Sequence, residues 1–256
     1  MNVAKSIARF VPRRLRSCGR DWIETQVRGT PPAMLGHRSS ELFANLDMVL
    51  AHYRLEHSKI RYLQVGAFDG VSGDPIYPLI ERHRLQGILV EPQKDVFERL
   101  KSNYVRFPHF QFVNAAIDDH DGCSTLFRIK LSADRPEWVG QIASFDRSVL
   151  MRHAYLVPNL ETMIEAEQVR CTTFETLFNE SGIKEVDLLQ IDAEGFDAEI
   201  LRLFNVPARK PAIVHFEHKH LSIGDHRGAI GMLVGQGYRL SVSESDTLAY
   251  RVAANL

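Results

Sequence analysis

The sequence predicts an α/β domain: a mostly parallel sheet with helices on both faces. Three observations lead there. Short, almost wholly apolar runs alternate with amphipathic helical segments from residue 58 onward; glycines or acids stand at the carboxyl end of several of these runs; and the chain closes on two strand-like runs joined by residues 243–246. Strands buried on both faces lose the polar alternation of a half-exposed strand, and alternation with helices selects parallel pairing.

Taken in order, residues 39–57 read as a helix behind Ser39 and Ser40, with Leu42, Leu46, Val49, Leu50 and Tyr53 on one face. Residues 61–65 form a first strand running into a glycine-rich turn, 78–83 a helix, 87–91 a second strand, 95–104 a helix and 110–113 a third strand. Residues 124–129 and 141–145 read as extra strands or an irregular insertion, and 169–174 as extended chain. A short helix over 174–181 is closed by Gly182. Residues 186–191 form a buried strand, 197–204 a helix, 212–217 another buried strand and 227–236 a helix. Residues 238–242 and 247–252 suit an antiparallel hairpin at the sheet edge.

Composition bounds the rest. The 256 residues carry a formal net charge of −1, so there is no global electrostatic reason to bind nucleic acid. No apolar run approaches the roughly 20 residues that span a bilayer. Cys18, Cys123 and Cys171 have no metal-ligand spacing, which fits a reducing, cytoplasmic setting. The first twenty residues differ from the remainder: Lys5, Arg9, Arg13, Arg14, Arg16 and Arg20 precede any acid, and Val3, Ile7, Phe10 and Val11 keep helical spacing until Pro12. Three readings compete: a helix packed on the domain, a basic helix on the anionic inner face of a membrane or on a partner, and an organelle transit peptide. Thr30-Pro31-Pro32 marks a break. The expected organisation is a helical leader or lid over 1–57 and a catalytic domain over 58–256.

In an open parallel sheet the ligand crevice lies beyond the carboxyl ends of the strands. The first tip reads Gln64-Val65-Gly66-Ala67-Phe68-Asp69-Gly70, where glycine permits a sharp turn and close backbone approach to a ligand. The G-x-G-x-x-G of dinucleotide binders is absent, since position 68 is Phe. The second tip ends at Glu91-Pro92, where a carboxylate can accept both hydroxyls of a ribose. A pyrophosphate would meet the Asp69 carboxylate, whereas S-adenosylmethionine carries no phosphate and offers an α-amino group to such an acid. Methyl donor is therefore preferred to nicotinamide. Ala115, Ala116 and Ile117, after the third strand, suit one wall of an adenine pocket. Leu188-Leu189-Gln190-Ile191-Asp192-Ala193-Glu194-Gly195 delivers two carboxylates from a buried strand to the same crevice, unless one of them caps the helix near Asp197.

The segments L-Q-V-G-A-F-D-G, G-I-L-V-E-P, N-A-A-I-D, V-R-C-T-T-F-E-T-L and L-L-Q-I-D-A-E-G-F-D-A-E-I-L occur in that order. Together they resemble the FkbM family of S-adenosylmethionine-dependent methyltransferases over about residues 58–256. The resemblance implies a Rossmann-like class I methyltransferase fold with a seven-stranded sheet, and O-methylation of a hydroxyl on a sugar, glycan or other small molecule. Gln64 and Phe68 stand where many relatives carry Asp or Asn.

Transfer to a hydroxyl calls for alignment and a general base. Ile213 through His220 supply candidates: His218 or His215 as base, Glu217 as its orienting partner, and Asp192 beside them. A divalent cation such as magnesium on Asp192, Glu194 and Glu217 is an alternative means of lowering the hydroxyl pKa, and three histidines within six residues also admit zinc. Gln141, Ser144, Phe145, Arg147, Arg152, His153 and Tyr155 could bind a sugar or form a surface loop. Rival readings are methylation of nitrogen or of a carboxylate, and a non-catalytic nucleotide-binding protein on the same fold.

Overall fold

The computed structural model describes residues 44–129, 137–155, 157 and 159–251. The basic leader and the break at 30–32 lie outside the described residues, as does the part of the 39–57 helix before residue 44. The strands are β1 (Ile60–Val65), β2 (Leu85–Val90), β3 (Phe110–Val113), β4 (Ala116–Ile117), β5 (Gly122–Ile129), β6 (Ala143–Ser144), β7 (Ile164–Thr172), β8 (Leu188–Ile191), β9 (Ile213–Glu217), β10 (Arg239–Val242) and β11 (Asp246–Tyr250).

Seven of them form one sheet in the order β10-β11-β9-β8-β1-β2-β3. The pairs β1–β2, β2–β3, β1–β8 and β8–β9 are parallel, whereas β11 runs antiparallel to both β9 and β10. This is the Rossmann-like class I methyltransferase fold, and its strand order reverses between β1 and β8. The closing hairpin is present as expected, with its later strand on the inside.

Each face of the sheet has its own core. Tyr62, Leu89, Phe110 and Leu188 pack with Leu46, Val49, Leu50, Ile80, Leu100 and Tyr104 on one side. Leu63, Val65, Val90, Ile191 and Phe216 pack with Ile200, Leu201, Phe204 and Leu233 on the other. Burial on both faces is why these strands read as continuous apolar runs. Helix α1 (Leu46–Tyr53) is capped by Asn45, whose Oδ1 accepts from Met48 N at 2.9 Å. It lies within the span expected of the leader, yet its apolar side belongs to the first core, and Tyr53 donates to Asp187 Oδ1 at 2.9 Å just before β8.

A second sheet, ordered β4-β7-β5-β6, is inserted between β3 and β8. β7 begins at Ile164, five residues before the expected extended segment; its first half hides from an apolar-pattern reading because its half-buried positions include the acids Glu165 and Glu167, while Ala166 and Gln168 are exposed. The segment over 141–145, expected as an extra strand or an irregular insertion, holds the two-residue strand β6 directly after a 3₁₀ turn, Glu137–Gln141. The helix expected over 227–236 runs Ile223–Gly235, started by Ser222, whose Oγ accepts from Asp225 N at 3.1 Å. Four glycines at 224, 228, 231 and 235 dilute its apolar spacing. No helix among the described residues is long and apolar enough to cross a membrane.

The tips of β1 and β8 meet at Gly66. Its φ is +76°, and a Cβ built there would lie inside the backbone carbonyl of Asp192. Gly66→Ala therefore combines left-handed strain with an overlap that only backbone movement can relieve, and should cost about 2–5 kcal/mol. Urea unfolding checks this, and an unchanged midpoint would refute the contact.

Candidate active site

A crevice of about 980 Å³, part of it open to solvent, lies over the carboxyl ends of β1, β2, β3 and β8. Gln64, Gly66, Ala67, Phe68, Glu91, Pro92, Ala115, Ala116, Ile117, Asp192 and Glu194 all line it. The first turn is hung from β2 by Gly66 N and Ala67 N, both donating to Val90 O at 3.0 Å. The buried Glu91 carboxylate accepts from Phe68 N and Gln93 N, each at 2.8 Å. One bond per oxygen leaves acceptor capacity on both. Asn114 donates to Glu91 O at 2.8 Å and to Pro92 O at 2.9 Å, tying the third tip to the second.

Asp69 and Gly70 shape the loop and do not line the crevice. The Asp69 carboxylate accepts from Val71 N, Ser72 N and Ser72 Oγ at 3.0, 2.8 and 2.7 Å, while Gly70 lies against Leu100 and Tyr104. The carboxylate at this end of the crevice is that of Asp74. It accepts from Gln64 Nε2 at 2.9 Å, and the Tyr62 hydroxyl donates to Gln64 Oε1 at 2.7 Å. An Asp followed by a serine three residues on commonly closes its own turn, and that signal was present in the sequence. No helix N-terminus follows Gly66 closely, since the 3₁₀ turn and helix α2 (Ile80–His83) start only at Tyr77. The turn therefore lacks a phosphate cradle.

On the far side, neither Asp192 nor Glu194 caps the helix Asp197–Phe204, which has no side-chain cap; its first residue, Asp197, instead ties down the turn that precedes it. Its carboxylate accepts from Gly195 N at 3.2 Å and Ala193 N at 3.4 Å. Glu194, within this turn, is held at φ +48°, a conformation non-glycine residues seldom adopt outside functional sites.

The histidines depart from expectation. His215 is buried, its Nδ1 2.7 Å from Gln190 Oε1. His218 lies 3.0 Å from the Thr247 hydroxyl and stacks on His226 at 4.1 Å. Neither lines the crevice, and Glu217 orients neither. Strand alternation ends at Glu217; a turn closed by Leu221 N to His218 O at 3.1 Å then carries His220 back to the acids. His220 Nε2 is 3.2 Å from Glu194 Oε2 and 3.6 Å from Glu217 Oε2. From the insertion, Gln141, Ser144 and Phe145 line the crevice, and Gln141 donates to Ser72 O at 2.9 Å. Arg152 donates to His220 O at 3.0 Å, Arg147 pairs with Glu161 at 3.6 Å, and Tyr155 is 82% exposed.

Electrostatically the site is a set of carboxyls held near neutrality. Burial pushes Glu91 up to about 7. Enclosure by the crevice walls, and then Asp246 and Asp74 nearby, raise Asp192 to about 7, although its side chain stays exposed to the open crevice. Burial and then neighbouring acids raise Glu217 and Asp197 to about 8 each, and Glu194 well above the usual range. Burial lowers His220 and His226 to about 4.

Between about pH 4 and 6.5 these histidines and carboxyls oppose each other: the unfolded chain binds the histidine protons, and the folded chain keeps the carboxyl protons. Above about pH 6.5 only the carboxyls still differ, with the folded form holding protons the unfolded form has lost. Folding stability should therefore fall from about pH 6.5 to 8.5, by up to about 1.4 kcal/mol per pH unit for a buried group such as Glu91 or Asp197 and by less for the exposed Asp192. Urea midpoints across this range test the sign, with a shallower slope expected for Glu217→Gln; a flat or rising wild-type profile contradicts it.

The family model of the methyltransferase FkbM domain matches residues 64–240, from the end of β1 into β10, and so contains every residue lining the crevice. No curated protein matches the chain. Solved structures similar to it include the methyltransferase FkbM from Methylobacillus flagellatus KT, with 11% identity over 75% of this chain and 44% of that one, at a TM-score of 0.48. Another is precorrin-6y C5,15-methyltransferase from Geobacter metallireducens GS-15, with 9% identity over 84% and 93% of the two chains and a TM-score of 0.40. A third is Aeropyrum pernix fibrillarin with natively bound S-adenosyl-L-methionine, at 11% identity, 75% and 66% coverage and a TM-score of 0.34. The chain thus spans less than half the length of the Methylobacillus protein. With a family model matched over well more than half of its residues, this chain belongs to the FkbM methyltransferase family.

Proposed function

We propose that the chain is an S-adenosylmethionine-dependent O-methyltransferase whose acceptor is a hydroxyl on a sugar, glycan or other small polar molecule. The observation that carries this reading is a single crevice shared by two unlike walls. On one wall stand the Gly66–Phe68 backbone, the Glu91 carboxylate and the small residues Ala115, Ala116 and Ile117; on the other stand Asp192 and Glu194. The first wall suits ribose and adenine without phosphate, and Asp74 with Gln64 suits a donor's amino-acid end.

The donor, when bound, supplies a methyl group already activated on a sulfonium. The chain's own residues then have to align a hydroxyl oxygen in line with the methyl carbon and the sulfur, exclude water and accept a proton. As the O–CH3 bond forms and the C–S bond breaks, the hydroxyl proton passes to a carboxylate. A carboxyl near 7 is substantially ionised at neutral pH yet basic enough for this task. Asp192 takes the base role first given to His218 or His215. Carboxyl acceptors need no base and amines little, so this arrangement supports a hydroxyl. Gln141, Ser144 and Phe145 form the acceptor side.

The direct test combines calorimetry with S-adenosylhomocysteine and a radiolabelled-methyl assay over sugars, nucleotide sugars and glycolipids. No binding of S-adenosylhomocysteine to the wild-type chain would end the proposal. Glu91→Ala should weaken that binding about 10–100-fold, as expected for losing hydrogen bonds to a charged acceptor. Asp192→Asn should lower kcat by about 10²–10⁴-fold with little change in donor affinity, and abolish a rate limb near pH 7. His218→Gln should keep most activity; the reverse pattern would return the base role to the histidine.

A further inference from the structure

Glu194 belongs to two groupings at once. It lines the crevice, and it also reaches a pair of histidines outside it. Helix α4 (Arg147–Met151), the fourth in chain order after Lys94–Asn103, is followed by a turn that delivers His153, which is 8% exposed, with its ring centroid 5.2 Å from that of His220. One ring nitrogen each of His153 and His220 and one carboxylate oxygen of Glu194 lie within 4.8 Å of one another. Among the described residues, His153 Nε2, Glu194 Oε2 and Glu217 Oε2 are buried and make no hydrogen bond; both carboxylate oxygens have only the close approach of the same His220 Nε2. Buried polar atoms left without partners are uncommon, and each calls for an explanation. Here three belong to one cluster, drawn from three separate segments of the chain.

We propose that His153, His220 and Glu194, with Glu217 as a fourth donor, bind a divalent transition-metal ion, zinc foremost, beside the crevice. Two imidazoles and a carboxylate are the donor set of borderline ions, and they leave coordination positions open for an outside oxygen. A hard ion such as magnesium would prefer the all-oxygen set Asp192, Glu194 and Glu217, whose donor atoms also lie within 4.8 Å of one another. The two sets share Glu194 and Glu217, so one ion excludes the other; the unpartnered His153 nitrogen favours the set with histidines. Through Glu194 the ion stands next to the acceptor side, where it would bind and acidify the acceptor hydroxyl. That role rests on the O-methyltransferase reading, whereas metal binding does not.

The test uses the full chain, stripped with chelator and titrated separately with zinc, cobalt(II) and magnesium. One equivalent of zinc should bind with a micromolar or tighter Kd, and cobalt(II) should give visible bands of a nitrogen-ligated site. His153→Ala and His220→Gln should each weaken zinc binding at least 100-fold while leaving S-adenosylhomocysteine affinity within about threefold of wild type. That retained affinity also shows that the variants fold. Zinc binding that is absent from the wild type, or undiminished in both variants, overturns the site. So does magnesium binding that both variants keep and Asp192→Asn loses. Zinc binding in a chain that fails to bind S-adenosylhomocysteine would leave this site standing and remove the methyl-transfer reading.

Discussion

The close approach of two backbones, Gly66 against the carbonyl of Asp192, is the constraint from which the site follows. Only a residue without a Cβ lets β1 and β8 stay paired up to their tips and then diverge. Asp192 N still donates to Val65 O at 3.0 Å, while the chain beyond Gly66 swings to β2 and presents Phe68 N to Glu91. One carbonyl contact therefore sets the floor of the crevice and the direction of both walls. The ordering of Glu91 and the exit of the Asp192 side chain toward open space are consequences of it.

The second organising feature is charge. Glu91, Asp74, Asp192 and Glu194 line a space poor in cations, and Lys219 is the cation that moderates Asp192, Glu194 and Glu217. Enclosed carboxyls repel one another and hold protons more tightly, so a positively charged guest relieves their mutual cost. A sulfonium bearing an ammonium group is such a guest, and a pyrophosphate is the opposite. The electrostatics and the missing phosphate cradle thus agree.

How far the sequence could be read follows from what each residue spends its side chain on. The central strands were legible because burial on both faces leaves continuous apolar runs such as Leu188–Ile191. The tips they deliver, Gly66, Glu91, Ala115 to Ile117 and Asp192, follow from strand order alone. β7 was half hidden because Ala166, Gln168 and Arg170 on one face are exposed, while its other face begins with the charged Glu165 and Glu167 before the apolar Val169 and Cys171. Asp69 and Asp74 look interchangeable in the sequence; their turn hydrogen bonds decide which one faces the crevice. The histidines could not be placed from the sequence: His215 lies within β9 and spends its ring on Gln190, and the turn after Glu217 sends His218 to Thr247 and His220 to the acids. His153 stood out in the sequence only as one of a polar cluster in the insertion, since its approach to His220 and Glu194 comes from tertiary packing.

The second sheet is packed around clusters of its own, Ile129, Val139, Ile142, Val149, Leu150, Val157 and Leu160 in one and Ala116, Leu126, Val169 and Cys171 in the other. Neither draws on the residues that fill the two faces of the main sheet. Changes confined to the first of these clusters are therefore expected to add independently to changes beneath β1 and β2. The first cluster can therefore be repacked without touching the core beneath β1 and β2, whereas β4 keeps the second sheet tied to the crevice, because Ala116 and Ile117 belong to both.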